Sequence, residues 1–234
     1  MIPLLEINGL VKEHQALRPL RIRELSVMPS TVMSIAGLDA LAAEVFVHLV
    51  TGATLPDEGV VALFGQDTRA IADGDAWLKS LDGVGMITAR GILIGAFSVL
   101  QNIAMSYTLE VDPIDPRVLP EAGALARDVG IPPELFDRPA GKAGPEVQMR
   151  VHLARALALG PKLLLGEHPS AALPRDTVAP FGADLARVAR SRGLALIVIT
   201  ADDALAKAIG GQRLELVPAT GELRLPGLLN KLFG

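Results

Sequence analysis

The chain has 234 residues, half of them hydrophobic but only 3% aromatic. This is room for one large domain or two small ones, with a core built from Leu, Val, Ile and Ala. A formal net charge of −4 argues against nucleic acid as a partner, and the lack of cysteine excludes disulfides and thiolate metal sites.

The start is apolar up to Glu6 and Lys12, with neither the basic region nor the cleavage site of a secretory signal, so a cytoplasmic location is expected. Leu4–Leu10 alternates as a strand does. Arg21–Met28 is a second candidate strand carrying Ile22, Leu25 and Val27. Pro29-Ser30-Thr31 reads as a turn before a strand at Val32–Ala36, and a helix then runs to about Val50. Pro56-Asp57-Glu58-Gly59 predicts a turn, Val60–Phe64 a strand, and Val84–Thr88 a short buried strand. From Gly91 to Thr108 no residue is charged. That length approaches a membrane span. Ser98, Gln101, Asn102 and Ser106 interrupt it, so it reads as a loop and helix whose apolar surface meets the core or a partner. Residues 112–133, rich in proline and glycine around a helical piece at Glu121–Val129, suggest a boundary between a core lobe and a helical subdomain. Pro145–Leu159 has helical periodicity, with Val147, Val151, Ala154 and Ala158 on one face. Leu163–Leu165 is a buried strand broken at His168-Pro169. Thr177–Arg192 is an amphipathic helix ended by Gly193, and Leu194–Thr200 is an apolar strand. Alternating strands and helices, several strands apolar throughout, predict an α/β fold with a parallel sheet covered on both faces.

The residues between the strand at Val32–Ala36 and the following helix read Gly37-Leu38-Asp39-Ala40-Leu41-Ala42-Ala43-Glu44-Val45. A phosphate-binding loop in this setting reads G-x-x-x-x-G-K-[S/T]: backbone N–H groups cradle phosphates, the lysine neutralises them, and the hydroxyl holds magnesium. Only Gly37 is retained. Ala42 replaces the second glycine, Ala43 the lysine and Glu44 the hydroxyl residue.

Several further segments share one register. They are Leu49-Val50-Thr51-Gly52, Pro56-Asp57-Glu58-Gly59-Val60, Arg150-Val151-His152-Leu153-Ala154-Arg155-Ala156-Leu157, Pro161-Lys162-Leu163-Leu164-Leu165, and Glu167-His168-Pro169-Ser170-Ala171-Ala172-Leu173. In this order and spacing the chain resembles the nucleotide-binding subunit of ATP-binding cassette (ABC) transporters over nearly its whole length. The resemblance implies a P-loop NTPase-like fold: a parallel-sheet core, antiparallel N-terminal strands and a helical subdomain. It would be one domain over residues 1–234, with a core lobe at about 1–90 and 160–224, a helical subdomain at about 91–159, and a short apolar tail at 225–234.

The resemblance also shows which functional positions have changed. The adenine-stacking aromatic falls on His14 and the Q-loop glutamine on Ala89. The signature Leu-Ser-Gly-Gly-Gln falls on Ala143-Gly144-Pro145-Glu146-Val147. There Pro145 has no N–H to donate and Glu146 brings a negative charge. The metal-binding aspartate falls on Glu167, which could still reach magnesium through water. The catalytic glutamate falls on His168, and the switch histidine on Ala201. Glu44 is expected in the first helical turn, where with Asp39 it would fill the vacant anion site.

The four histidines, His14, His48, His152 and His168, show no metal-ligand spacing, and Asp202-Asp203 reads as a helix cap. The expectation is a pseudo-ATPase with no cofactor. It would dock on an ABC permease or another nucleotide-binding subunit, as homo- or heterodimer, at the inner face of a membrane. The segment after Ala89 is the candidate docking surface. One rival reading is an energy-coupling ATPase that binds Mg-ATP in an unusual pose, with Glu167 as metal acid and His168 as base. The other is an interaction module unrelated to transport.

Overall fold

The computed structural model describes residues 2–88 and 90–225. Two sheets lie against each other. The first is antiparallel, in the order β2-β1-β4-β5, from β1 (Leu5–Lys12), β2 (Leu20–Val27), β4 (Glu58–Leu63) and β5 (Gln66–Asp67). The second has the order β10-β9-β3-β8-β7-β6, from β3 (Val32–Ala36), β6 (Val84–Thr88), β7 (Leu163–Glu167), β8 (Ala195–Ile199), β9 (Gln212–Val217) and β10 (Glu222–Arg224). Its pairs are parallel except β9 with β10.

The helices are α1 (Ala40–Val50), α2 (Gly74–Leu81), α3 (Val99–Ala104), α4 (Leu119–Asp128), α5 (Pro145–Leu157), α6 (Arg175–Ser191) and α7 (Asp203–Ile209). Strands β7 and β8 show why their sequences are apolar throughout. Leu163, Leu165, Ile197 and Ile199 join the core beneath α1 and the antiparallel sheet. Their alternate neighbours Leu164, Leu196 and Val198 join the core of α3 to α7. A sheet covered on both faces has no polar side, so the period of two vanishes from the sequence.

Strands β3 and β6 have the expected bounds, and β1 continues two residues past Leu10. The turn expected at Pro56–Gly59 is displaced: β4 already begins at Glu58. Asp57 closes the turn by accepting from Lys12 Nζ and the Glu13 N–H, both at 2.7 Å. The 112–133 stretch is not an edge of the helical region. It carries α4, which packs with α3 and α5 in one apolar cluster. The apolar tail expected at 225–234 lies, beyond Leu225, outside the described residues.

Candidate functional site

The C-terminal ends of parallel strands gather the polar loops of an open α/β sheet. Here β3 leads into Gly37, β6 into Arg90, β7 into Glu167 and His168, and β8 into Thr200 and Ala201. Gly37 has φ of +88°, and a Cβ there would lie 2.5 Å from the Leu216 carbonyl oxygen, so the loop requires glycine. Asp39 caps α1: its carboxylate accepts from the Ala42 N–H at 2.8 Å, while its carbonyl accepts from the Ala43 N–H at 2.9 Å. Leu38 is buried, Val45 half-buried, and Ala43 has zero exposure within the core beneath the antiparallel sheet. At the position the resemblance assigns to the loop's lysine there is a core methyl group.

Glu44 departs from the expected arrangement. It lies beyond the first turn of α1, and Asp39 alone meets the free N–H groups. The Glu44 carboxylate instead takes Arg90 Nη1 at 2.7 Å, and the same guanidinium gives Nη2 to Glu167 at 2.6 Å. Its hydrogen bond and charge hold the Glu44 carboxyl below the usual range. The hydrogen bond that Arg90 donates to Glu44, followed by the one it donates to Glu167, raises the Arg90 pKa against the opposing cost of burial. Glu44 therefore does not stand as bare negative charge. Sequence reading missed Arg90, although a signal existed: it is the sole Lys or Arg between Lys79 and Arg117. Ala89 lies outside the described residues.

His168 follows Glu167 at φ +43°, with its N–H bonded to the Ile199 carbonyl at 2.9 Å. Its Nε2 is buried without a partner among the described residues, and the Glu167 carboxylate is held by Arg90. His168 and Ala201 line a cleft of about 310 Å³ with Ser170, Arg175, Thr200 and Asp202. Asp202 caps α7, as its sequence position suggested.

In the signature stretch Ala143 is buried, Gly144 caps α5 and Pro145 opens it, where a missing N–H costs nothing. Val147 is partly buried against the helical core. The charge on Glu146 is taken up by Arg150 at 2.9 Å, one turn along α5. This side chain is therefore a structural partner rather than the open negative charge read from the sequence. Arg150, 5% exposed, also donates to the Val129 carbonyl at 2.5 Å and to Asp184 at 2.7 Å.

His14, which the resemblance assigns to the adenine-stacking aromatic, lies beside the Gly37 loop. With Leu17, Arg18, Gly37, Asp39 and Leu216 it helps line a cleft of about 470 Å³. Beyond Arg90, the uncharged segment is a shaped loop followed by α3. Fully buried Asn102 accepts from the Ile94 N–H at 2.9 Å and donates to the carbonyls of Ile94, Phe97 and Ser98. Arg155 donates to the Ile92 carbonyl at 3.0 Å. Ile92, 84% exposed, and Ile94, 38% exposed, face outward, whereas Phe97 packs on the helical core. No helix among the described residues is long and apolar enough to cross a membrane.

The chain is 33% identical over 214 residues to the lipoprotein-releasing system ATP-binding protein LolD 2 of Caulobacter vibrioides, covering 88% of this chain and 91% of that protein. It belongs to the ATP-binding cassette family, as a nucleotide-binding subunit. Two solved ABC structures share its fold. One is cbiO1 from Clostridium perfringens, part of the cbiONQ transporter complex: TM-score 0.79, 17% identity, coverage of 100% of this chain and 91% of that one. The other is a dimeric structure of MJ0796, a bacterial ABC transporter cassette: TM-score 0.74, 18% identity, coverage of 94% and 96%. No family model matches the chain.

Proposed function

We propose that this cassette is a pseudo-ATPase: a subunit that docks on a permease or a sister cassette and serves a structural or regulatory role without turning over ATP. The observation that carries the reading is Ala43, buried to zero exposure where the loop's lysine would neutralise phosphate. An uncompensated buried charge costs roughly 3–5 kcal/mol, a weakening on the order of 10³-fold. Asp39 adds a carboxylate at the helix end a phosphate would approach. The signature stretch offers a partner's phosphates little in a dimer: Pro145 has neither hydroxyl nor N–H, and the Glu146 side chain, bound to Arg150, is a carboxylate rather than a hydroxyl.

A second reading, ATP binding in an unusual pose with energy coupling retained, draws on the cleft of about 470 Å³ beside His14. Against it, Glu167 is held by Arg90, and the buried His168 Nε2 reaches no partner among the described residues. Calorimetry with Mg-ATP up to millimolar concentration separates the two. The pseudo-ATPase gives no saturable heat and no phosphate release, whereas micromolar binding overturns it. Co-purification with a membrane subunit supports docking at the inner face of a membrane. A chain that never associates with one is instead a free interaction module.

A further inference from the structure

Two carboxylates from separate elements, Glu44 on α1 and Glu167 at the end of β7, converge on one guanidinium. Glu44 occupies the position at which a phosphate-binding loop supplies a magnesium ligand, and Glu167 is the acid that the resemblance assigns to the same ion. The residues present do not fit a divalent cation, because one oxygen of each carboxylate is spent on Arg90, at 2.7 and 2.6 Å. Arg90 also opens the partner-facing loop, and that loop is tied at each step. The Arg90 N–H meets Thr88 Oγ1 at 3.2 Å, the Ile92 carbonyl meets Arg155, Ile94 meets Asn102, and the Gly95 carbonyl meets the Gly141 N–H at 3.0 Å.

We infer that Arg90 is a built-in counter-ion that takes the place of the divalent cation, and that it thereby holds the 90–95 loop in one posture with neither metal nor nucleotide bound. The inference rests on the pseudo-ATPase reading and goes beyond it by giving the vacated site a present task. A fixed guanidinium fork suits that task, since it meets two carboxylates at once and never loses its charge. Arg90 is a positioning residue here. Removing it leaves Glu44 and Glu167 facing each other without a cation, and two hard oxygen ligands are what a divalent ion needs for a foothold.

The test uses the full chain, manganese chloride alone as the probe, and sodium chloride matched for ionic strength. Wild type should show the same Tm in both salts. R90A should melt roughly 2–6 °C lower and recover saturably with manganese, and adding E167Q to R90A should abolish the recovery. If R90A does not fold, R90Q keeps a longer polar side chain without the charge and carries the same expectations. In R90Q, amide exchange across residues 90–95 should be at least about tenfold faster than in wild type, which reads loop posture rather than global stability. Saturable stabilisation of the wild type by manganese overturns the inference, because the site would then be open. So does a variant with unchanged Tm and loop exchange. Because nucleotide is absent, Mg-ATP binding by a manganese-insensitive wild type would sink the pseudo-ATPase reading alone.

Discussion

Arg150 and His152 are neighbours on α5 with opposite relations to charge. Arg150 is buried and compensated by Glu146, Asp184 and the Val129 carbonyl, joining α5 to α6 and to the end of α4. Arg150→Ala is expected to cost about 3 kcal/mol. This is the lower end of the range for a broken buried pair, since both carboxylates keep some exposure to water. It is read as a lower midpoint in urea unfolding. His152 lies against the loop after Arg90: a Cβ at Gly91 would fall 2.7 Å from its ring. Burial, then the charge of Arg155, lowers its pKa. A histidine whose folded pKa is depressed contributes stability that is complete above its unfolded pKa, about 6.5, and declines as pH falls toward the folded value. His152→Asn should therefore flatten the loss of stability between about pH 7.5 and 5.5. Urea midpoints that fall by the same amount in wild type and variant would remove His152 from that account. Such residue-scale roles were only half legible. The sequence shows that Ala43 has no charge, but nothing in its spacing shows that Glu44 turns from the helix end to Arg90, on an element far along the chain.

At the scale of elements, legibility followed local constraint. The strands at Val32–Ala36 and Val84–Thr88 are bounded by turn residues and stand out by composition. The uncharged stretch reads as a loop and helix, and α3 is that helix, though its bounds were not legible. It is six residues long, and its start depends on a capping box in which Ser98 and Gln101 exchange hydrogen bonds. The loop before it takes its shape from Asn102, a polar residue with zero exposure whose partners are all backbone groups of that loop. This changes which substitution tests docking. Phe97→Asp would place a charge against the helical core and should chiefly destabilise the fold. Ile92→Asp changes an exposed side chain, so Tm should hold within a few degrees. It should still reduce co-sedimentation with membranes containing the partner by several-fold. Undiminished co-sedimentation would move the docking surface elsewhere.

For the whole molecule, order and spacing of motifs in the chain were enough to establish fold and family. Apolar strands, amphipathic helices and glycine-marked turns are local properties, and their sequence along the chain admits few right-handed, unknotted arrangements. The loss of lysine, hydroxyl and signature groups is equally local and was read directly from Ala43, Glu44 and Pro145. What only the tertiary structure decided is what became of the charges left behind. Glu44, Arg90 and Glu167 come from three segments separated by tens of residues, and parallel strands β6 and β7 lie side by side only after the chain has crossed the sheet. Likewise Arg150 meets Asp184 and the Val129 carbonyl only once α5, α4 and α6 assemble, whereas its pairing with Glu146, one turn away on α5, is local. An ion pair across the sheet depends on distances that packing creates, whereas helix and strand depend on periodicities that the chain carries from the start.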